Sequence, residues 1–496
     1  MSFYESRRDS ATSFYESRGD SVMSFYESRR DSATLQRFYS NMPPRNLTIL
    51  IIAFLASSAC YVTHRRAKTA IMVGDAMEMI NNYYVDPVEE DQLLVAAMNG
   101  MTSLLDQNSE YITSEYYESF RNSIQQEFAG IGIYVDQPVA GEPVRIITPL
   151  VGSPAIKAGL LPADQIIRVD GRDVSEMSLG EVTAALKGVI GTTVEVRIRR
   201  RSGEDGGWKE MVFTVERATI ELESVIGSRR GPNDEWIYRL EEDSTIAYIR
   251  LTSFGDRTIE ELRKVLVELD NDFRGMVIDV RGNGGGLLYS AIDIADMFLE
   301  SGAIVSTRVR GGKIEAEYEA KPGTLVAVDK PLAVLIDENS ASASEILAAA
   351  LKDNKRATIV GTRSYGKGTV QNVLPLQYGR SALKLTVARY YRPNGKNIHR
   401  SKEATEEDEW GVSPDDSMRI ELDDKTRLAL VEHWTRASYP SLSEAALEEV
   451  RAKFKPANPE EDESIPDAEI GASIETGSLM SIDPQLRKAV ESLRSH

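Results

Sequence analysis

Apolar strand candidates alternate with helical stretches through the middle of the chain, between residues 218 and 417. The strand candidates are short and rich in aliphatic residues, and they cover 246–251, 275–282, 332–337 and 358–361. The helical stretches between them are 259–269, 290–300 and 344–353. Strands that alternate with helices form crossover units, in which helices cover a parallel sheet. This pattern predicts an α/β core.

The chain is too long for that core alone, because 496 residues predict two or three domains. A second segment, from about 128 to 217, contains short strands and one helix at 179–188, which is typical of a small separate domain. The pattern is helical before it, from 67 to about 126. It is helical again after Arg419, where a Pro- and Glu-rich linker at 455–468 interrupts it. We therefore expect a multidomain protein of the α/β (α+β) class.

The N-terminus repeats one short unit. SFYESR occurs three times, beginning at Ser2, Ser13 and Ser24. The copies mix Arg with Glu and Asp and contain no stretch that could build a core, so residues 1–45 are expected to be a disordered tail. The alternative is a partner-binding or phosphorylated repeat.

A nearly uncharged run at 47–62 follows, with basic residues on both sides. We expect a single transmembrane signal-anchor over 46–63, with the bulk of the protein outside the cytoplasm. The run has sixteen residues, whereas a span needs about 20. A buried core helix or a signal-peptide core is therefore the alternative.

Charge and scarce residues exclude several kinds of site. The formal net charge of -19 argues against nucleic acid as a partner, because phosphate binding needs a basic surface. A single cysteine, Cys60, rules out a disulfide framework and a Cys-ligated metal site. Among four histidines only His399 and His433 could serve a Ser-His-Asp hydrolase. A hydrolase here is expected to transfer protons with another residue type.

Three serines stand where the strand at 332–337 turns into the following helix: Ser340, Ser342 and Ser344. An α/β protein can place a nucleophile at such a junction, because the free N–H groups of a helix N-terminus can hold a developing oxyanion. The structural alternative is that one serine is simply a helix N-cap.

Two further motifs bear on this junction. Lys367 lies between two glycines; if it is buried beside a serine, desolvation lowers its pKa and the neutral amine can take the serine proton. The run at 279–286, DVRGNGGG, ends a strand in glycines, which allow a backbone amide to approach a substrate carbonyl closely. A solvated lysine and a plain structural turn are the alternatives.

Together, SASASEI, the later GKGTVQ, DVRGNGGG and the upstream FAGIGIYV resemble the C-terminal processing peptidases, the tail-specific serine proteases of family S41. The resemblance covers roughly 70–417, and DPQL at 483–486 is similar to the end of many members. It implies a ClpP/crotonase-like protease core with an inserted PDZ domain and helical N- and C-terminal regions. The repeated tail and LDQNSEYI at 105–112, in place of an LDPHS-like turn, depart from the family pattern.

The resemblance also implies roles for individual residues. Ser342 would be the nucleophile, Lys367 the general base and Gln371 the residue that helps to orient the lysine, while Asp353 matches a nearby acidic position. The backbone N–H of Ala343 would form the oxyanion hole together with that of Gly285 or Gly284. No metal and no organic cofactor is expected.

The segment at 128–217 resembles the PDZ domain of these proteases, especially in its stretch at 152–174. The resemblance implies that the turn of Gly130, Ile131, Gly132 and Ile133 grips the terminal carboxylate of a peptide through backbone N–H groups. The adjacent strand would then pair with the peptide. The side chains of the two isoleucines are equally well explained as core.

These implications define the expected function, a serine endopeptidase that cleaves proteins recognised at their C-terminus. The alternatives are a membrane-tethered PDZ scaffold with a catalytically silent protease fold, and a crotonase-like enzyme that handles an acyl thioester. The expected partners are protein or peptide substrates with exposed C-termini and the membrane, with a homo-oligomer left open. The expected location is the bacterial inner membrane, single-pass, with the catalytic domain on the periplasmic side.

The domain bounds expected from these features run along the whole chain. They are 1–45 for the tail, 46–63 for the anchor, 67–126 for a helical cap, 127–217 for the PDZ domain, 218–417 for the protease core and 418–496 for the helical C-terminal region with its acidic linker.

Overall fold

A computed structural model describes most of the chain. The described ranges are 44–125, 127–137, 142–202, 207–376, 379–405, 407–442, 444–453 and 478–494. The described part of the chain divides into two compact units, with the boundary between residues 97 and 98. The N-terminal repeats and the Pro- and Glu-rich linker at 455–468 lie outside the described residues.

The helices and strands are numbered here in chain order. The helices are α1 (Pro44–Tyr83), α2 (Glu90–Thr102), α3 (Ser114–Gln125), α4 (Pro154–Ala158), α5 (Leu179–Leu186), α6 (Asp256–Leu269), α7 (Leu288–Asp296), α8 (Ala343–Asp353), α9 (Asp424–Ser438), α10 (Glu444–Lys453), α11 (Leu479–Ile482) and α12 (Pro484–Arg494). The first ten strands are β1 (Glu110–Ile112), β2 (Glu127–Gly130), β3 (Ile133–Asp136), β4 (Arg145–Pro149), β5 (Gln165–Val169), β6 (Arg172–Asp173), β7 (Thr193–Ser202), β8 (Gly207–Glu216), β9 (Ala218–Glu221) and β10 (Val225–Ile226). The other ten are β11 (Arg229–Arg230), β12 (Trp236–Ile237), β13 (Ile246–Leu251), β14 (Gly275–Asp279), β15 (Ala303–Val309), β16 (Ile314–Glu319), β17 (Leu332–Ile336), β18 (Ala357–Gly361), β19 (Thr369–Leu376) and β20 (Ser381–Tyr391).

A five-stranded sheet in the order β10-β13-β14-β17-β18 forms the centre of the larger unit. Its last four strands run parallel, and every residue of β14 and β17 is buried. A strand that is covered on both faces has apolar residues at nearly every position, and the sequences of β14 and β17 show such continuous apolar runs. One apolar core lies between this sheet and the helices α6, α7 and α8, and a second lies on the other face against α12. The predicted α/β class is confirmed.

A second sheet, in the order β1-β20-β15-β16 with β19 also paired to β20, is antiparallel. Its longest strand, β20, joins segments far apart in sequence, because it pairs with residues 110–112 on one side and with 369–376 on the other. This sheet holds the chain that follows the glycine-flanked lysine.

The segment at 131–215 has its own apolar core beneath a six-stranded sheet, β3-β4-β5-β7-β8 with β6 paired to β5. The chain enters and leaves this region through β2 and β9, which pair with each other as a two-stranded ribbon. The exact domain bounds along the chain stay a prediction.

The predicted membrane anchor is wrong. Across the described part of the chain, no helix is both long enough and apolar enough to cross a bilayer. The helix α1 does contain the run at 47–62, but that run has sixteen residues where a span needs about 20, and basic residues follow it within the same helix. The single-pass anchor over 46–63 and the inner-membrane location inferred from it are both overturned.

Candidate active site

The chain makes an unusual turn at Ser342, between β17 and α8. Ser342 has φ 56° and ψ -112°, a backbone conformation that costs a non-glycine residue about 1–3 kcal/mol. The residue is buried, and its side chain faces the hydroxyl of Tyr390. Strain of this kind persists only where surrounding contacts hold it in place, which is typical of a functional turn.

The neighbouring serines have structural roles. The hydroxyl of Ser340 donates to the carbonyl of Val280 over 2.9 Å, and the hydroxyl of Ser344 donates to the carbonyl of Asn283 over 2.8 Å. Both bonds fix the turn to the end of β14. The side chain of Ser342 instead shares a hydrogen bond with the hydroxyl of Tyr390, so among the three candidates it is the one not used to tie the turn to the end of β14.

The glycine run packs directly against the turn. A Cβ atom added to Gly285, which has φ +101°, would lie 2.6 Å from the carbonyl oxygen of Ala341 and 2.8 Å from Cβ of Ser342. Only glycine fits at that position. The N–H of Gly285 itself donates to Oδ1 of Asn283 over 2.8 Å, so it is already occupied.

Two other N–H groups beside the turn are unoccupied. Ala343 opens α8, where the first N–H groups of a helix have no partner within the helix. Within the described ranges, neither the N–H of Ala343 nor that of Gly284 donates a hydrogen bond. Of the two predicted oxyanion glycines, Gly284 is therefore the one with a free donor.

Lys367 is half-buried in the loop between β18 and β19. Burial lowers its pKa below the usual value, the nearby charge of Lys384 lowers it further, and the carboxyl of Glu345 opposes both effects. A lowered pKa increases the fraction of neutral amine, the form that can accept a proton. No hydrogen bond joins Nζ of Lys367 to Oγ of Ser342 among the described residues, so the structure does not show the pair in direct contact.

The flanking glycines allow this loop to pack tightly. A Cβ atom on Gly366, at φ +88°, would lie 2.7 Å from Cβ of Arg400, and one on Gly368 would lie 2.2 Å from the backbone nitrogen of His399. The spacing G-K-G is therefore explained by backbone packing on both sides of Lys367.

Gln371 lies in β19, but it does not bind the lysine. Its amide donates to Oγ1 of Thr369 over 2.8 Å and to Oγ1 of Thr386 over 3.2 Å. The N-terminal turn joins this cluster, since Ser109 Oγ accepts from the N–H of Thr386 over 3.0 Å and Asn108 lies 3.4 Å from Thr369. The divergent turn at 105–112 therefore docks beside Gln371.

Asp353 and the two candidate histidines have other partners. Asp353 pairs with Arg392 at 2.6 Å and stabilises the end of α8. His433 contacts the carbonyl of Ser228 at 3.2 Å, and burial lowers its pKa. In the described ranges neither His399 nor His433 hydrogen-bonds to Ser342, so no Ser-His arrangement is present there.

Sequence reasoning missed two residues at this site. Burial raises the pKa of Tyr390 to about 12, so its hydroxyl beside Ser342 stays protonated at neutral pH. Glu345 is fully buried and accepts the N–H of Ser342 over 2.8 Å. The S-x-x-E spacing from Ser342 to Glu345 is a helix-start signature that could have drawn attention to it.

A groove of about 270 Å³ lies beside β3, in the segment with its own core at 131–215, and it is lined by Gly130, Ile131, Gly132 and Ile133. Ile131 is also buried in the apolar core, while Ile133 is half-buried. Gly132 has φ +77°, and a Cβ atom there would lie 2.4 Å from Cβ of Ser153. Because β3 is the last strand of its sheet, its outer edge can pair with an extended peptide.

Comparisons with known proteins find similar sequences and structures. Residues 245–418 match peptidase family S41 and residues 145–200 match a PDZ domain. The chain is 34% identical to the carboxy-terminal-processing protease of Bartonella bacilliformis over 403 residues, which are 80% of this chain and 86% of that protein. It is 34% identical to the carboxy-terminal processing protease CtpA of Bacillus subtilis, over 71% of this chain and 69% of that protein. Among solved structures, the photosystem II D1 C-terminal processing protease is similar at 27% identity and a TM-score of 0.40, covering 71% of this chain and 92% of that one.

Proposed function

Because the chain belongs to the carboxy-terminal processing proteases of peptidase family S41, we propose that it cleaves peptide bonds with a Ser342–Lys367 dyad. As a member of that family it is a serine peptidase with a PDZ domain. The observation that carries the dyad is the turn itself. Ser342 lies at a strained backbone position beside a helix N-terminus, and the bonds that tie this turn to the end of β14 come from the neighbouring serines, Ser340 and Ser344.

The reaction begins with proton transfer. Neutral Lys367 takes the proton of Ser342 Oγ as that oxygen attacks the scissile carbonyl and forms a tetrahedral intermediate. The lysine ammonium then gives its proton to the leaving amine as the C–N bond breaks. Water, deprotonated by the same lysine, hydrolyses the resulting ester and releases Ser342. The Ser342 side chain and the Lys367 amine must move into contact for the first step.

The negative charge of the intermediate falls on the former carbonyl oxygen. The free N–H groups of Ala343 and Gly284 support an oxyanion hole there, and Gly285 supports it by letting the glycine run approach the turn. Loss of one such donor typically costs about 100- to 1000-fold in kcat.

The PDZ domain supplies substrate selection. Gly130 to Ile133 would bind a terminal carboxylate through backbone N–H groups, and β3 would pair with the last residues of the substrate. We therefore expect the substrates to be polypeptides with exposed C-termini.

The test is cleavage of an unfolded protein with an apolar C-terminus by the full chain, with Ser342→Ala and Lys367→Ala in parallel. We expect wild type to cut while both variants are inactive and still bind the substrate. A wild-type chain that binds but never cuts favours the scaffold with a silent protease fold. Residual cleavage by Lys367→Ala near the wild-type rate would exclude the lysine as the base.

A further inference from the structure

Glu345 lies one helical turn after Ser342, in α8, and its side chain has no exposed surface. Its carboxylate is bonded to both catalytic segments at once. Oε2 accepts the N–H of Ser342 over 2.8 Å and the N–H of Lys367 over 2.8 Å. A single oxygen atom therefore joins the backbone of the nucleophile to the backbone of the base.

The second carboxylate oxygen holds the loop before the lysine. Oε1 accepts the N–H of Gly366 over 2.7 Å and the hydroxyl of Ser364 over 2.6 Å. Ser364 is itself fixed, since its Oγ accepts the N–H of Val412 over 2.7 Å. Four donors thus converge on one carboxylate from the two sides of the site.

Burial of an ionised carboxylate destabilises the folded state. A buried charge normally needs a cation, yet in the described part of the chain no lysine or arginine pairs with Glu345. Its four hydrogen-bond donors are all neutral groups. The neighbouring backbone also closes the space, because a Cβ atom on Gly411 would lie 3.3 Å from Oε1. Groups kept at such cost in a cleft are candidates for a functional role.

We propose that Glu345 is a positioning residue of this protease, which as a carboxylate holds the Ser342 turn and the Lys367 loop in register. The inference rests on the proposed Ser342–Lys367 dyad. Small displacements are costly in such a site, because a shift of about 1 Å between reacting groups can lower a rate by roughly 100-fold. Glu345 acts through the two backbones and does not touch the substrate.

The proton state of Glu345 then matters for catalysis. An ionised carboxylate accepts all four donors, whereas a protonated carboxyl turns its own O–H toward one of them and loses that bond. Burial raises the pKa of Glu345 to about 7, even though its four donors oppose that rise. The carboxylate also raises the pKa of Lys367, against the effects of burial and of Lys384. Glu345 is thus linked to the base both by geometry and by charge.

The decisive experiment is the pH profile of kcat for the full chain with Glu345→Gln. In wild type both Glu345 and Lys367 must lose a proton before the enzyme is active. A plot of log kcat against pH should therefore rise with a slope of one above about pH 7, where only Lys367 is still protonated, and with a slope of two below it. In Glu345→Gln we expect kcat to fall by about 100-fold with KM little changed. The slope of two should no longer appear at low pH in this variant. The rise in kcat that follows deprotonation of Lys367 should also move to lower pH, because the carboxylate that raises the pKa of Lys367 is gone.

Glu432→Gln is the matched control. Glu432 is also a buried glutamate, but it pairs with Arg451 in the C-terminal helices. Its loss should lower the melting temperature and leave both limbs of the pH profile in place. If Glu345→Gln merely lowers stability in the same way and keeps the wild-type profile, Glu345 is structural and the proposal is overturned.

Ser364→Ala covers the case in which Glu345→Gln does not fold. It removes one donor that favours the carboxylate, which raises the pKa of Glu345, so the change of slope should move to higher pH. An unmoved profile would overturn the proposal.

Lys367→Ala distinguishes failure of the proposed dyad from failure of the proposed role of Glu345. If it retains cleavage, the dyad itself fails; if it is inactive while Glu345→Gln keeps the wild-type profile, only the role of Glu345 fails.

Discussion

Arg281 and Asp483 form a buried ion pair, in which Nη2 of the guanidinium lies 2.7 Å from Oδ2 of the carboxylate. Arg281 stands at the start of the glycine run, whereas Asp483 directly precedes the last helix, α12. The same guanidinium binds Oε1 of Gln485 over 2.9 Å and pairs with Asp279 over 2.7 Å. The DPQ sequence near the C-terminus is thereby tied to the loop that borders the nucleophile.

Asp483→Ala should destabilise the protein strongly. It leaves part of the buried Arg281 charge uncompensated, which typically costs about 3–5 kcal/mol. Unfolding by urea, followed by fluorescence, measures the change. Arg494→Ala is the control, because it removes an ion pair with Asp243 that is partly exposed and is worth less than about 1 kcal/mol. Equal effects of the two variants would contradict the structural role of Asp483.

Gly285→Ala should abolish most activity without unfolding the chain. Its Cβ atom would collide with Ala341 and Ser342 and push the glycine run away from the nucleophile, so we expect kcat to fall by about 100-fold or more. Gly311→Ala is the matched control, since Gly311, in the turn between β15 and β16, also has a positive φ and a Cβ atom there meets nothing within 4 Å. Steady-state cleavage of one peptide by both variants gives the comparison, and similar losses would show that contact with the turn is unimportant.

Lys384→Gln should move the pH dependence of cleavage. The positive charge of Lys384 lowers the pKa of Lys367, so its removal raises that pKa and shifts the limb of the profile toward higher pH. Lys396→Gln is the control, because Lys396 is exposed and pairs with Glu409. A limb that stays in place in Lys384→Gln would indicate that Lys367 is not the titrating base.

Gly132→Ala should weaken peptide binding while leaving the nucleophile intact. Its Cβ atom would lie 2.4 Å from that of Ser153, so the carboxylate-binding turn must shift. We expect a loss of affinity of about tenfold or more for a peptide with a free C-terminus, measured by fluorescence anisotropy. Labelling of Ser342 by a fluorophosphonate should be unchanged. Gly152→Ala, also at positive φ but in open space, controls for backbone strain.

Local patterns predicted the centre of the fold because strands and turns are short-range features. The strand candidates at 246–251 and 332–337 match β13 and β17 within one residue, and Ser342 lies at the expected junction. The second sheet could not be predicted from local patterns. Its strand β20 pairs with residues 110–112, which are far away in the sequence, and no local periodicity encodes that register.

At the site, the sequence placed the residue types but not their hydrogen bonds. The N–H of Gly285 is taken by Asn283, and the amide of Gln371 binds two threonines, because both partners depend on side-chain packing. The prediction of a membrane anchor over 46–63 was wrong for a simpler reason. Its apolar run is sixteen residues long, which is shorter than a span of about 20, and flanking basic residues do not make up for that length.

The buried carboxyl of Glu345 also predicts a pH-dependent stability. Its pKa in the folded chain is about 7, above the value of 4.5 expected when the chain unfolds and the group meets water. The folded state therefore binds more protons than the unfolded state between these values, so the free energy of unfolding falls as pH rises through that window. By pH 8 the free energy of unfolding is about 3 kcal/mol lower than at low pH, where Glu345 is protonated in both the folded and the unfolded state.

Glu345→Gln lacks this ionisation, so the comparison of the two proteins isolates it. We expect the stability of wild type relative to Glu345→Gln to fall by about 2–3 kcal/mol between pH 5 and pH 8, as measured by urea unfolding across that range. All other titrating groups are common to both proteins and cancel in the difference. A difference that is flat with pH would mean that Glu345 is ionised throughout, and then the steepening of the kcat profile near pH 7 would need another group.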